Sequence, residues 1–508
     1  MGADLLSGLA NALTPEHLLF AAIGALLGTA VGVLPGLGPS STMAILLPST
    51  FVLPPSGSII MLAGIYYGAM YGGSTTSVLL NVPGEVASVP TTIDGYQMTK
   101  QGRAGQALAI AAIGSFMAGI VGSVIISLIA KPLALFGLKF GPPEYFALIL
   151  LSLTGIISFS GASIGKGVLA GLAGLFLATV GLDPQSGTER MTYGSIELLR
   201  GLDIVAVLIG LFAISEVFHS VGARMGSVYS GKLGSWWSMI PRGAELKSGL
   251  AACARGTALG FPFGLIPGML PAVTTFLAYD VEKRISKTPE RFGKGAIEGV
   301  AAPEAANNAT AMGGFVPLLA LGIPTGPSLA ILLAAFMAFG LTPGPQLFNN
   351  DGLLVWTIIA SMLIANIMLL VLNLPLVRMW AMISRVPYSA LAPIILGVSV
   401  VGAFSSRNAV MDVVTAVVFG FVGLGMKRAG VPPAPLILGL LLGPLLEQSL
   451  RQSLSVSAGS PTIFFSHPIA LILIIIATVF LVVSLYLKIR SSKAERLLET
   501  AAEDAWDS

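Results

Sequence analysis

Charge and cysteine are what this sequence has least of. Asp, Glu, Lys and Arg together make up 10 % of it, where soluble chains carry roughly 25 %. A lone cysteine, Cys253, allows no internal disulfide and no cysteine-built metal site; its ordinary role is that of a small apolar residue in a helix. His17, His219 and His467 share no metal-ligand spacing, so no resident metal or other cofactor is expected. HExxH, GxSxG and P-loop patterns are all missing, and no carboxylate pair sits at helical spacing within one apolar run. That argues against hydrolytic catalysis and against ATP as the source of work. A net charge of +3 is too small for nucleic-acid binding. No lysine or arginine occurs before Lys100, so the start has no basic n-region and no cleavable signal peptide is expected.

What is present is apolar. Hydrophobic residues make up 55 % of the sequence. Runs such as Leu202 to Val221, Leu353 to Leu374 and Pro468 to Lys488 each reach the length of about 20 residues that crosses a bilayer. The sequence predicts an all-α polytopic membrane protein. Its 61 glycines and 32 prolines suit close helix packing and deliberate helix breaks.

The breaks organise the chain. Residues 18–50 form two apolar arms around Pro35, Gly36, Gly38 and Pro39, and neither flank carries a basic residue. Both ends are therefore expected outside, which makes a re-entrant hairpin. Residues 59–99 read as a helix broken near Pro83 and Gly84, followed by Lys100 and Arg103 on the inside. Spans are predicted near 107–130, 143–160, 164–182 and 202–221, leading to a basic cytoplasmic linker, 222–247.

The pattern then restarts. Gly32, Pro35, Gly36, Pro39 and Thr42 match Gly264, Pro267, Gly268, Pro271 and Thr274 at an offset of 232. Tyr71-Gly-Gly73 and Pro83 match Met312-Gly-Gly314 and Pro324 at 241. The second hairpin is placed at 248–281 and the second broken helix at 297–341, within a repeat spanning 248–450 that answers the first at 1–221. Basic residues follow the second hairpin (Lys283, Arg284, Lys287, Arg291, Lys294) but not the first, and follow the first broken helix but not the second. The expected fold is thus two inverted-topology repeats. Further spans near 353–374, 388–406, 409–425 and 432–450 precede an extra C-terminal helix and solvated tail, 451–508. The N-terminus is expected outside the inner membrane and the C-terminus in the cytoplasm.

A helix broken at membrane depth exposes N–H donors at one end and C=O acceptors at the other. Donors suit a carboxylate; acceptors suit Na+. The candidate substrate-binding residues are those at the breaks: Pro35, Gly36, Gly38, Ser40, Ser41, Thr42, Ser74, Thr75, Pro267, Gly268, Thr274, Pro324, Thr325 and Gly326. Asn307 and Asn308 join them, three and four residues beyond Glu304 on one helix face. Glu304, Asn81 and Thr310 are candidates for cation binding or coupling. Glu304 reads equally as a helix-capping group behind Pro303, and Glu85 as a residue at the water interface. Asp183, Glu216, Asp280, Asp412 and Glu447 fall near span ends, where solvation is the ordinary expectation.

The stretches VGVLPGLGPSSTMAILLP, TTIDGYQMTKQGRAGQALA, GLIPGMLPAVTTFLAYDVEKR and APEAANNATAMGGFVPLLALGIPTG resemble the large membrane subunit of the tripartite tricarboxylate transporter family. The resemblance runs from about residue 18 to 487, and Thr325 stands where the family's LGIPG pattern has glycine. It implies a secondary transporter that works with a small membrane subunit and a periplasmic solute-binding protein. It further implies import of a di- or tricarboxylate driven by a Na+ or proton gradient. Two other classes remain: a membrane enzyme acting on a lipid-linked substrate, for which Glu304 with Glu85 is the only tolerable pair, and a channel.

Overall fold

The computed structural model describes residues 2–34, 37–159, 164–220, 234–383 and 388–486. Helices dominate. The first half holds α1 (Gly2–Ala12), α2 (Pro15–Gly32), α3 (Pro39–Thr50), α4 (Pro55–Leu80) and α5 (Val89–Lys100). It continues with α6 (Ala104–Gly137), α7 (Pro142–Phe159), α8 (Ile164–Leu177) and α9 (Ile204–Ser220). The second half holds α10 (Gly243–Gly264), α11 (Pro271–Ile285), α12 (Glu298–Leu321), α13 (Pro327–Ala338) and α14 (Gly352–Asn373). It ends with α15 (Tyr388–Arg407), α16 (Val410–Arg428), α17 (Pro433–Val456) and α18 (Pro468–Tyr486). Among the described residues seven helices, α2, α6 and α14 to α18, are long and apolar enough to cross a membrane. A two-residue antiparallel strand pair, Gly181–Leu182 with Glu189–Arg190, closes the loop after α8.

Helices occupy the expected spans with ends displaced by up to seven residues, the largest shift being that of α6, which runs on to Gly137, and three features differ. The N-terminal helix α1, which packs along α14, carries no break or charge signal to announce it. The helix α10 starts inside the stretch read as a linker, while residues 221–233 of that stretch lie outside the described residues. The tail beyond 486 lies outside them too.

Two helices form the centre. Every residue from Gly57 to Leu79 of α4 and from Gly299 to Ala320 of α12 is buried. Wholly enclosed by protein, they carry side chains that lipid would not tolerate. Helix α2 lies on α4, and α10 on α12, through the same device. A Cβ added to Gly24, Gly28 or Gly32 would strike the carbonyl of Met61, Ile65 or Ala69. One added to Gly256, Gly260 or Gly264 would strike that of Ala302, Ala306 or Thr310. The glycines of the two pairs lie 232 residues apart and the carbonyls 241 apart. These are the two sequence offsets, and the nine extra residues fall between the helices, where α11 and its loop are longer than α3 and its loop. Small residues at every fourth position let the backbones touch, which is the main source of helix adhesion where lipid surrounds the bundle.

The halves interlock. Helix α6 packs on α12, and α14 on α4 and α2. Helix α9 lies against α15 and α16 of the second half, whereas α17 lies against α7 and α8 of the first. Residues Ile209 to Ile214 of α9 form a π-helical turn. Helix α18 stands apart, with Ile472, Ile475, Val479 and Val482 exposed along it.

Candidate functional site

Each long central helix stops short and a second helix restarts from the break. After α4 the chain turns at Asn81, in the left-handed conformation (φ 57°), and resumes in a short helical turn at Val86 that leads into α5. After α12 it turns at Gly322 (φ 73°) and resumes at Pro327. Asparagine is the commonest residue after glycine to accept that conformation, which explains its presence there. The chain also breaks between α2 and α3 and between α10 and α11, where Gly268 has φ 87° and donates its N–H to the Thr325 carbonyl at 3.2 Å. Proline opens α3, α11 and α13, matching its preference for the first helical turn, and no side chain caps any of the three.

All four breaks line one cavity of 460 Å³. Gly38 to Ser41 come from the break between α2 and α3, Pro83 to Ala87 with Val89 from that between α4 and α5, Met269 to Ala272 from that between α10 and α11 and Thr325 to Leu329 from that between α12 and α13. The tips touch: the Ser40 and Ser328 hydroxyls are 3.0 Å apart. The first turns of α3, α11 and α13 therefore line a common space, and their N–H groups, not capped by side chains, contribute positive dipole ends to it.

Of the residues singled out in the sequence, Gly38, Ser40, Ser41, Thr310, Thr325 and Gly326 line this cavity. Pro35 and Gly36 lie outside the described residues. Thr42 and Thr274 are buried and turn back to their own helices, the Thr42 hydroxyl donating to the Gly38 carbonyl at 3.0 Å and that of Thr274 reaching the Leu270 carbonyl at 3.5 Å. Pro267, Gly268 and Pro324 shape the breaks without forming part of the lining. Asn81 is exposed and serves as the helix terminus just described.

A second layer sits behind the cavity. Glu304 is 1 % exposed and accepts from the Ser74 hydroxyl at 2.5 Å and the Thr91 hydroxyl at 2.6 Å. Thr75 lies beside Ser74 on the buried face of α4. Glu85, which lines the cavity rather than the water interface, accepts from Asn307 Nδ2 at 2.8 Å. The other amide atom, Asn307 Oδ1, is buried with no hydrogen-bond partner. Asn308 donates to the Ser115 hydroxyl at 2.7 Å. Thr310 donates to the carbonyls of Ala306 and Gly260, which ties α12 to α10.

A match to the model of the family described as tripartite tricarboxylate transporter TctA covers residues 18–438. The chain belongs to the tripartite tricarboxylate transporter TctA family. Members of the TctA family are secondary transporters that act with a periplasmic binding protein to import tricarboxylates. A curated relative from Agrobacterium vitis, titled "Uncharacterized 52.8 kDa protein in TAR-I ttuC' 3'region", is 45 % identical over 499 residues, spanning 98 % of this chain and 99 % of the relative. A second from the same organism, "Uncharacterized protein in TAR-II ttuC' 3'region", is 43 % identical over 240 residues, 47 % of this chain and 99 % of the relative. No solved structure matches.

Two cavity residues of this TctA chain escape sequence reasoning. Glu216 of α9 and Lys427 of α16 both line the cavity and form an ion pair with each other. Glu216, whose place near the end of its span predicts solvation, is 8 % exposed. The readable signal was an acid inside an apolar run, which demands a cation from elsewhere in the fold. The other span-end acids are paired as well. Asp412 holds Arg407 at 2.5 Å, and Asp280 holds Arg284 at 2.7 Å. Glu447 and Asp183 share Arg190 and Arg451. In the loop after α8, the N–H groups of Ser186 and Gln185, assisted by Arg451, hold the Asp183 carboxyl down at about 2.

Proposed function

We propose that this chain is the translocating subunit for a small di- or tricarboxylate, handed over by a periplasmic binding protein and taken up with the help of a small membrane subunit. The observation that carries the reading is the convergence of four helix breaks on one cavity, with three uncapped helix N-termini facing it. Such termini bind carboxylates through backbone N–H groups. The Ser40, Ser41, Thr325 and Ser328 side chains add hydroxyl donors that carry no charge.

In this reading the halves are inverted repeats, each with a re-entrant hairpin and a broken helix. The supports are the shared offsets of 232 and 241, the matching glycine contacts, and the reversal of basic residues between halves. Loops rich in lysine and arginine lie inside, which places the N-terminus in the periplasm and the C-terminus in the cytoplasm.

Coupling is assigned to Glu304 with its neighbours. Its carboxyl lies among hydroxyls, with no ion-pair partner among the described residues, so it is neutralised by taking a proton or by a bound cation. Residues that would hold Na+ are Glu85 and Asn307, whose Oδ1 is buried and lacks a donor. There the ion supplies counter-charge to the carboxylates. Asn81, exposed at a helix end, has no part in this arrangement.

The test is uptake of labelled citrate, tartrate and succinate into vesicles carrying both membrane subunits, with the binding protein outside and imposed Na+ or proton gradients. Accumulation against the gradient is expected, and Glu304→Gln should lower it by at least ~10-fold. Downhill flux without accumulation would indicate a channel, and chemical conversion of the label an enzyme; either outcome sinks the reading.

A further inference from the structure

Among the described residues Lys427 is the one basic residue lining the cavity. It stands on α16, outside the four breaks. Its partner is Glu216, a buried carboxylate on α9. Both ends of this pair face the cavity, which distinguishes it from the ion pairs described above.

We propose that Lys427 is the side-chain cation that takes a substrate carboxylate in the cavity, and that Glu216 holds the same ammonium group between substrates. The proposal rests on the transport reading above and names the side chain that gives it selectivity for anions. A helix N-terminus supplies roughly half a unit of positive charge. A dicarboxylate or tricarboxylate brings two or three full negative charges into a space already shared with Glu85 and Glu216. Dipoles alone leave that charge incompletely matched, and a buried charge without a partner is costly. Among the described residues the ammonium of Lys427 is the remaining source of full positive charge. Glu216 presents to it the functional group that the substrate presents, so binding exchanges one carboxylate for another at Nζ. A neutral molecule of the same size cannot make that exchange, because it would leave Glu216 holding Lys427 and would gain nothing from the ammonium.

The alternative role is a clamp fastening α9 to α16. The two roles predict different signs. If Glu216 competes with substrate, Glu216→Gln removes the competitor and tightens binding, whereas Lys427→Gln removes the anchor and weakens it. A clamp predicts that both variants lose stability together and shift affinity in one direction.

The experiment is titration calorimetry of the full chain in lipid nanodiscs with citrate, tartrate and succinate, beside thermal melting of each variant. Lys427→Gln is expected to raise Kd by ~10-fold or more, the loss typical of a charge-assisted hydrogen bond. Lys427→Arg should stay within about threefold of wild type, and Glu216→Gln should lower Kd by several-fold. Wild-type affinity in Lys427→Gln would overturn the proposal, as would parallel weakening in both variants with a matching fall in Tm. Where Lys427→Gln does not assemble, the sign of the Glu216→Gln shift decides. A wild-type protein that binds none of the three acids, while labelled uptake also fails, would remove the transport reading itself.

Discussion

Asp94 illustrates how much of this protein rests on single polar residues. It is fully buried in α5, and its Oδ1 accepts the backbone N–H groups of Gly293, Gly295 and Ala296 at 2.7 to 2.9 Å. Its Oδ2 accepts the Tyr279 hydroxyl at 2.8 Å. One carboxylate thereby fixes the entry to α12 against the first broken helix, and so sets where Glu304 and Asn307 stand. Asp94→Ala leaves three N–H groups, two of them buried, without an acceptor and should cost about 3 kcal/mol or more. Thermal unfolding in detergent or nanodiscs would show this, and an unchanged Tm would refute it. Residues of this kind were the least legible in the sequence. Glu304 declares itself because it interrupts an apolar run beside Asn307 and Asn308. Asp94, in a polar stretch, looks like any solvated loop acid, since its partners lie some 200 positions away. Glu216 and Lys427 failed for the same reason: pairing across the fold leaves no mark on local spacing.

Helices were easier to read than side chains, because length, hydropathy and Pro–Gly clusters act locally. All four breaks were visible as such clusters, and the four restarting helices begin within a few residues of them. What the clusters did not reveal is which glycines serve breaks and which serve contact. Gly38 belongs to a break, while Gly24, Gly28 and Gly32 press α2 onto the carbonyls of α4. The pairing of α10 with α12 uses the same ladder, so the two interfaces should be equally intolerant of bulk. Leucine at Gly28 or at Gly260 would collide with backbone that cannot move aside. Each substitution should abolish the monodisperse peak in size-exclusion chromatography, whereas leucine at Gly397, whose Cβ direction is open, should leave it intact. A soluble, well-behaved Gly260→Leu protein would mean that the ladder is not the basis of packing.

At the scale of the molecule, the proposed topology makes a direct demand on accessibility. In a Cys253→Ala background, Val52→Cys, in the exposed turn after α3, should react with a membrane-impermeant maleimide added to intact cells. Lys287→Cys, after α11, should react only once the inner membrane is opened. Labelling of both from one side would rule out an inverted arrangement of the hairpins. The sequence offered this inversion through the distribution of lysine and arginine, but it gave no hint that α9 is lodged in the second half and α17 in the first. That exchange governs the order of synthesis. Helix α9 is complete at residue 220, yet α16, which supplies Lys427, begins only at residue 410. Until then Glu216 faces lipid or the insertion machinery as an unpaired acid, a state that a bilayer disfavours. The first half therefore cannot mature as it emerges. It must wait, partly inserted or shielded, until nearly the whole chain has been made.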